Sequence, residues 1–323
     1  MFPASCKFVT LRTGGMMDRS SAERQEICDG LLQQPARIAP KYFYDVRGSA
    51  LFEEITRLAE YYPTRTEAAV MQAHGADLLQ KVGAGGTVIE FGAGSCEKAR
   101  VLCRLLRPQG FVAVDISAEF LHDAVARMRA EFPGLDVQPL VADLCAVVEL
   151  PADLPRQKRL LFYPGSSIGN FDPPQALALL ERFRGLIDAD GALLIGIDLV
   201  KDIAVLEAAY DDDAGVTAAF NRNLLDHVNR LIGSDFEPAG WRHVAFYNAA
   251  ASRIEMHLEA LTATRVSWPG GRRQFAAGER IHTENSYKYR LADFHALLGR
   301  AGFARCDAWT DPRHWFAVVL ARP

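Results

Sequence analysis

TVIEFGAGSCEKAR, residues 87–100, sets the reading of the fold. Five apolar-leaning residues, Thr87–Phe91, form a short strand pattern and run directly into Gly92-Ala93-Gly94-Ser95. Glycines at such a place let the backbone turn tightly into a helix and approach a ligand closely. GxG alone is common to nucleotide-binding sheets. Here the third glycine of the dinucleotide fingerprint is missing, because Ser95, Cys96 and Glu97 follow. That disfavours NAD and favours a ligand without a pyrophosphate.

Outward from this point, strand patterns recur at 111–115 (FVAVD), 137–141 (VQPLV), 160–163 (LLFY) and Ala192–Asp198 (ALLIGID). Each is short, apolar and bounded by turn residues, as buried parallel strands are. Helical patterns lie between them. Ser117 is placed to cap a helix with Phe120, Leu121, Ala124, Val125 and Met128 on its apolar face. Asp172-Pro173 marks another helix start, and Thr64-x-x-Glu67 has the form of a capping box. The alternation predicts a doubly wound α/β sheet. It is broken between Lys201 and about Arg290, a stretch rich in Tyr, Asn and His. After it come a helix at Leu291–Arg300 and two strands, 306–310 and 316–321, joined by Asp311-Pro312. The reading is a sheet domain of residues 66–199 plus 291–323, with residues 1–65 plus 200–290 as a second, substrate-binding unit over its mouth.

Three carboxylates bear on the ligand. Asp115 ends the second strand, where an acid accepts hydrogen bonds from ribose hydroxyls. Asp143 follows the third strand, where a carboxylate meets an adenine amino group. Glu90 ends the first. Singly, an Asp at such a place also reads as a helix cap. Together, at successive strand ends, they suit a cationic sulfonium cofactor better than a phosphate.

Composition narrows the class. The 323 residues are 49% hydrophobic with net charge −4, and no basic block offers a nucleic-acid surface. No apolar run reaches membrane-spanning length, and the first fifteen residues lack the apolar core of a secretory signal. Met16 and Met17 allow a start there, with the preceding residues as an extension. The six cysteines show no CxxC spacing and the eight histidines no HxH or HExxH, so no metal is expected. Reduced thiols and a cytoplasmic location follow. Asp172-Pro173-Pro174 begins like a nucleobase amine motif, but Gln175 replaces the aromatic that would stack on the base.

Seven segments carry a resemblance: KYFYDVRGSALFEEITRLAEYYPTRTE (41–67), EFGAGSCEKAR (90–100), GSSIGNF (165–171), DLVKD (198–202), AYDDDAGVTAAFNRNLL (209–225), RIEMHL (253–258) and GERIHTENSYKY (278–289). The chain resembles the histidine-specific methyltransferases that make hercynine, the trimethylated histidine of ergothioneine biosynthesis. The resemblance implies a class I methyltransferase sheet with an inserted substrate-binding domain, S-adenosylmethionine as cofactor, and Nα-methylation of free L-histidine. It implies that Tyr44, Gly92, Lys98, Asp115, Asp143 and Leu144 hold the cofactor, with Lys98 on its carboxylate. Tyr61, Asn170 and Tyr210 would serve the amine and carboxylate as catalytic and substrate-binding residues. Met256, Glu284 and Ser286, with Tyr61, would shape the imidazole pocket. Ala59, Ser167 and Leu144 depart from the family's usual proline, threonine and phenylalanine; none touches the expected imidazole contacts.

From the residues themselves, Glu284 and Ser286 are two apart, so on a strand they face one side. A carboxylate and a hydroxyl converging there can grip both ring nitrogens, and the carboxylate by itself favours a protonated ring. The alternative is a solvated strand face near Lys288. Rival functions are methylation of another aromatic amino acid, a non-catalytic cofactor-binding module and a nicotinamide oxidoreductase. The expected partners are small amino-acid substrates, with no nucleic acid and no membrane, and a monomer is favoured.

Overall fold

A computed structural model describes residues 16–323 apart from Cys145 and Val147. The reading of the residues before Met17, and those of Cys6 and Cys145, lie outside the described residues.

A seven-stranded sheet forms the base of the molecule. Its strands are β1 (Thr87–Phe91), β2 (Gly110–Asp115), β3 (Asp136–Val141), β4 (Arg159–Tyr163), β5 (Ala192–Asp198), β6 (Arg305–Thr310) and β7 (Phe316–Arg322). The spatial order is β6-β7-β5-β4-β1-β2-β3, with β1 to β5 parallel and β7 antiparallel to both its neighbours. The expected strands, the helix Leu291–Arg300 and the antiparallel terminal pair are all present, to within a residue at the ends.

Strict alternation divides the core in two. Val88, Phe111, Ala113, Leu160, Phe162 and Leu194 face the helices Tyr62–Val82, Glu97–Leu106 and Ala118–Glu131. Ile89, Phe91, Val112, Val114, Leu161 and Leu193 face Pro173–Gly185 and Leu291–Arg300. Both sheet faces are therefore covered, which is why β1, β4 and β5 are buried along their whole length. The chain reverses its winding between β1 and β4, so a crevice opens beyond their carboxyl ends.

Two local expectations fail. Ser117 precedes the helix Ala118–Glu131, but its side chain makes no capping bond; its N–H instead donates to Asp115 Oδ1 at 2.9 Å. The Thr64-x-x-Glu67 box does not form, because the helix begins at Tyr62 and Glu67 lies inside it. Glu67 is buried and turned toward the crevice. Gly196 of β5 makes room for it: a Cβ there would fall 2.1 Å from Glu67 Oε1.

Beyond β5 the chain leaves the sheet and builds a second one, of order Ala36–Arg37, Arg280–Tyr287, Arg253–Ala260, Trp241–Asn248. The helices Met16–Leu32, Val46–Ile55 and Val216–Ile232 accompany it, and Phe43, Phe220, Leu224, Trp241, Ile254 and Phe275 belong to its own apolar core. The lobe is tied to the base through Asp172, whose Oδ1 accepts from Tyr287 OH at 3.0 Å and Asn285 Nδ2 at 3.2 Å.

Candidate active site

The crevice has two ends. At the first, the turn after β1 is drawn against β2: Gly92 N–H donates to Val114 O, and Gly94 N–H donates to Asp115 Oδ2 at 2.9 Å. Asp143 lies beyond β3, with its Oδ2 3.0 Å from Lys41 Nζ, and Lys41 also pairs with Glu26 at 2.8 Å. Leu144 packs partly buried beside it, and its carbonyl accepts from Arg182 at 2.9 Å. Lys98, in the first turn of its helix, reaches Glu67 at 2.6 Å. Glu67 also accepts the Gly165 N–H, at 3.0 and 3.1 Å. Glu90 is buried with its Oε2 unpartnered, and burial holds its carboxyl well above the usual carboxylate range. Glu67, Glu90, Asp115 and Asp143 thus bring four carboxyl groups to this end, with Lys98 held by Glu67 and Lys41 by Asp143 and Glu26. That donor set, with the orphaned Glu90 oxygen, fits a cationic ligand rich in N–H and O–H donors rather than a phosphate.

The second end is an open cavity of about 510 Å³, counting its solvent-facing mouth. It brings together Tyr44, Tyr61, Asn170, Tyr210, Met256, Glu284 and Ser286. Asn170 arrives on the 3-10 turn Ser167–Asn170. Met256 and Glu284 sit directly opposite each other on adjacent strands, so they share a face. A register shift between His282 and Glu284 re-aims the strand there, and Ser286 follows two residues on, on the same buried face. Tyr61 and Tyr210 meet edge to face with centroids 6.3 Å apart. Burial pushes the phenols of Tyr44, Tyr61 and Tyr210 well up, so they stay protonated. Burial also pushes the Glu284 carboxyl up to about 7, against the lowering pull of Lys288.

The solvated alternative for this strand does not hold: Glu284, Ser286 and Lys288 are all buried. Gly92, Lys98, Asp115, Asp143 and Leu144 lie apart from the cavity lining, at the sheet end of the crevice, whereas Tyr44 lines the cavity itself. Gly165 joins the ends, lining the cavity while a Cβ on it would sit 2.9 Å from Lys98 Nζ. The sequence reading gave no role to Phe52, Thr217 or Phe220 in the lining, nor to Glu67. Glu67 could be suspected only from its place in a matching segment, since its local pattern is that of a cap.

On the far face of the same sheet, Glu255, His257 and His282 bring ligand-type atoms within 4.8 Å of one another. Glu255 is already held there by Arg253 at 2.6 Å, Asn248 at 2.9 Å and His257 at 3.0 Å.

A family model described as histidine-specific methyltransferase, SAM-dependent, matches residues 23–323. The chain is 40% identical over 309 residues to the histidine N-alpha-methyltransferase of Mycolicibacterium smegmatis, covering 94% of this chain and 95% of that protein. It is 40% identical over 307 residues to the enzyme of the same name from Mycobacterium tuberculosis, covering 93% and 94%. With ergothioneine biosynthesis protein 1 of Neurospora crassa it shares 28% identity over 309 residues, which is 89% of this chain and 33% of that one. The chain belongs to the histidine-specific, S-adenosylmethionine-dependent methyltransferase family.

Proposed function

We propose that this protein methylates the α-amine of free L-histidine, up to the trimethylated product hercynine, as the first step of ergothioneine biosynthesis. The observation that carries the reading is the pairing of Glu284 and Ser286 in the buried wall of the cavity. A ring nitrogen can meet each of them, and an indole or phenol would leave one unpaired, a loss that polar sites punish strongly. Identity to the histidine N-alpha-methyltransferases over nearly the whole chain supports it.

The cofactor supplies an electrophilic methyl group on a sulfonium. Gly92, Lys98, Asp115, Asp143 and Leu144, with Tyr44, are the residues proposed to hold it, and the sheet unit of 66–199 plus 291–323 is its domain. The unit of 1–65 plus 200–290 is proposed to hold the substrate. Asn170 offers both a donor and an acceptor for the amine and carboxylate. Tyr61 and Tyr210 orient the amine as hydrogen-bonding groups and do not abstract its proton, because their phenols stay protonated. Alignment of the lone pair at near-attack distance supplies much of the rate. The tyrosine faces accommodate the growing ammonium through cation–π attraction. Among the described residues no helix is long and apolar enough to cross a membrane, and we place the enzyme in the cytoplasm.

The test is incubation with S-adenosylmethionine and a mixture of the twenty amino acids, read by mass spectrometry. Mono-, di- and trimethylated histidine are expected, with S-adenosylhomocysteine. Methylation on a ring nitrogen, or preference for another amino acid, would overturn the reading.

A further inference from the structure

Ser286 and Tyr210 share a third partner. Lys288, one residue beyond the strand Arg280–Tyr287, is buried. Its ammonium lies 2.8 Å from Ser286 Oγ, 3.1 Å from Tyr210 OH and 2.8 Å from Asp198 Oδ2. An ammonium has three hydrogens and no lone pair, so these contacts use all of them, and both hydroxyl oxygens must accept. Ser286 Oγ and Tyr210 OH are also 2.7 Å apart, so one donates to the other. The distance alone allows either direction, but a phenol is the stronger acid and an aliphatic hydroxyl the better acceptor, so we assign Tyr210 as the donor. Ser286 then accepts from both Lys288 and Tyr210. Its lone pairs are filled, and only its own O–H is left to offer a ligand.

Charge points the same way. Asp198, at the end of β5, also pairs with Lys201 and accepts from Tyr62 OH at 2.7 Å. Burial would raise its carboxyl, but Lys288 and Lys201 outweigh this and hold it below the usual range. Above about pH 7 Asp198 and an ionised Glu284 are thus balanced by Lys201 and Lys288; below it Glu284 is neutral, still accepts through its carbonyl oxygen, and the two lysines already exceed the one carboxylate. Among the described residues, the other titratable groups lining the pocket are the neutral phenols of Tyr44, Tyr61 and Tyr210, while Tyr62 stands behind them on Asp198. Glu67 is paired with Lys98, and Asp115 faces the sheet end of the crevice. A cationic ring would add one uncompensated charge to this buried set, which is costly.

We infer that Lys288 is a positioning residue that makes the pocket select the neutral imidazole, with Glu284 accepting its N–H and Ser286 donating to its bare nitrogen. This rests on histidine being the substrate. It reverses the expectation from Glu284 alone, which favoured a protonated ring. An imidazolium would aim a second N–H at a serine oxygen with no lone pair free. The filled hydroxyl pair is also polarised by Lys288, which strengthens the remaining donor.

The experiment uses ring-¹⁵N-labelled L-histidine bound to the full chain saturated with S-adenosylhomocysteine. Nitrogen NMR at pH 5.5 probes the ring about one unit below the ordinary value of about 6.5. In the wild type, one protonated and one bare nitrogen are expected, a bias of at least tenfold against the free ring's preference for the cation at that pH. Two imidazolium-type signals would overturn the inference and leave the proposed function standing. No bound histidine at all would overturn both. Lys288→Met is expected to bind the imidazolium at the same pH, and Lys288→Arg to restore the neutral ring. A neutral ring in Lys288→Met would remove Lys288 from the explanation. If Lys288→Met does not fold, the wild-type spectrum decides. A merely structural role for Lys288 would weaken binding without changing the ring's protonation.

Discussion

Replacing Glu284 with glutamine keeps the shape of the pocket wall and removes a charge that the empty pocket disfavours. The carboxyl sits at about 7 in the fold against an ordinary 4.5, chiefly through burial. A raised carboxyl binds its proton more tightly when folded. The associated stabilisation is fully present below about 4.5 and is lost as pH rises through about 7. The difference is about 2.5 units, and at about 1.4 kcal/mol per unit the buried carboxylate costs about 3 kcal/mol above pH 7. Glu284→Gln escapes that cost. Equilibrium urea unfolding of the ligand-free proteins at pH 8 should find the variant about 3 kcal/mol more stable than wild type, with the gap shrinking below about 1 kcal/mol at pH 5. Histidine turnover should fall meanwhile, because an amide is a weaker acceptor for the ring N–H than a carboxylate. A gap that is the same at both pH values, or a variant less stable at both, would refute the reasoning: Glu284 would then not be a buried acid under strain.

Glu284→Ala removes the charge-assisted contact altogether, so kcat/KM for histidine should drop about 10- to 150-fold, from about 1.5–3 kcal/mol. Relative activity on tryptophan should rise in the space beside Met256; an equal fall for both substrates would make Glu284 a support of the fold. Asp115→Ala should weaken S-adenosylmethionine binding by about 1.5–3 kcal/mol in calorimetry, since Asp115 also holds the Gly94 and Ser117 N–H groups. Gly169→Ala would place a Cβ 2.9 Å from Tyr287 O, pushing the turn that carries Asn170 off the neighbouring strand. Histidine kcat/KM should fall roughly ten- to a hundredfold while S-adenosylhomocysteine affinity, measured by calorimetry, stays close to wild type.

The large sheet was legible because parallel strands covered on both faces must be apolar throughout, and TVIEF, LLFY and ALLIGID can satisfy no other environment so simply. The GxG turn and the acids at strand ends were legible for the same local reason. What the sequence hid is set by partners far away in the chain. Ala36–Arg37 is a strand only because Ile281 and His282 lie beside it; two residues carry no period. Glu67 reads as a helix cap until Gly196 and Gly165, far along the chain, are seen to receive it. Lys288 reads as a solvent-facing lysine, because nothing local shows that Asp198 waits at the end of β5. The strand alternation did place Glu284 and Ser286 together, but the shift at His282 that buries both Thr283 and Glu284 leaves no signature.

The position of β7 has a consequence for how this chain acquires its structure. Phe316–Arg322 is not an outer strand; it lies between β5 and β6 and closes the flank of Ala192–Asp198. Until those residues leave the ribosome, β5 presents an unpaired edge that is apolar up to Asp198. Asp198 at its tip is at that stage also without the segment bearing Lys288, or has only just met it. The small lobe is similarly delayed, since Ala36–Arg37 must wait for Ile281 and His282. Pairings of such long sequence separation make folding slow and leave a sticky edge exposed during synthesis. Completion of both sheets therefore waits for segments that follow their partners by more than a hundred residues, and β5 is the segment through which unfinished chains would associate.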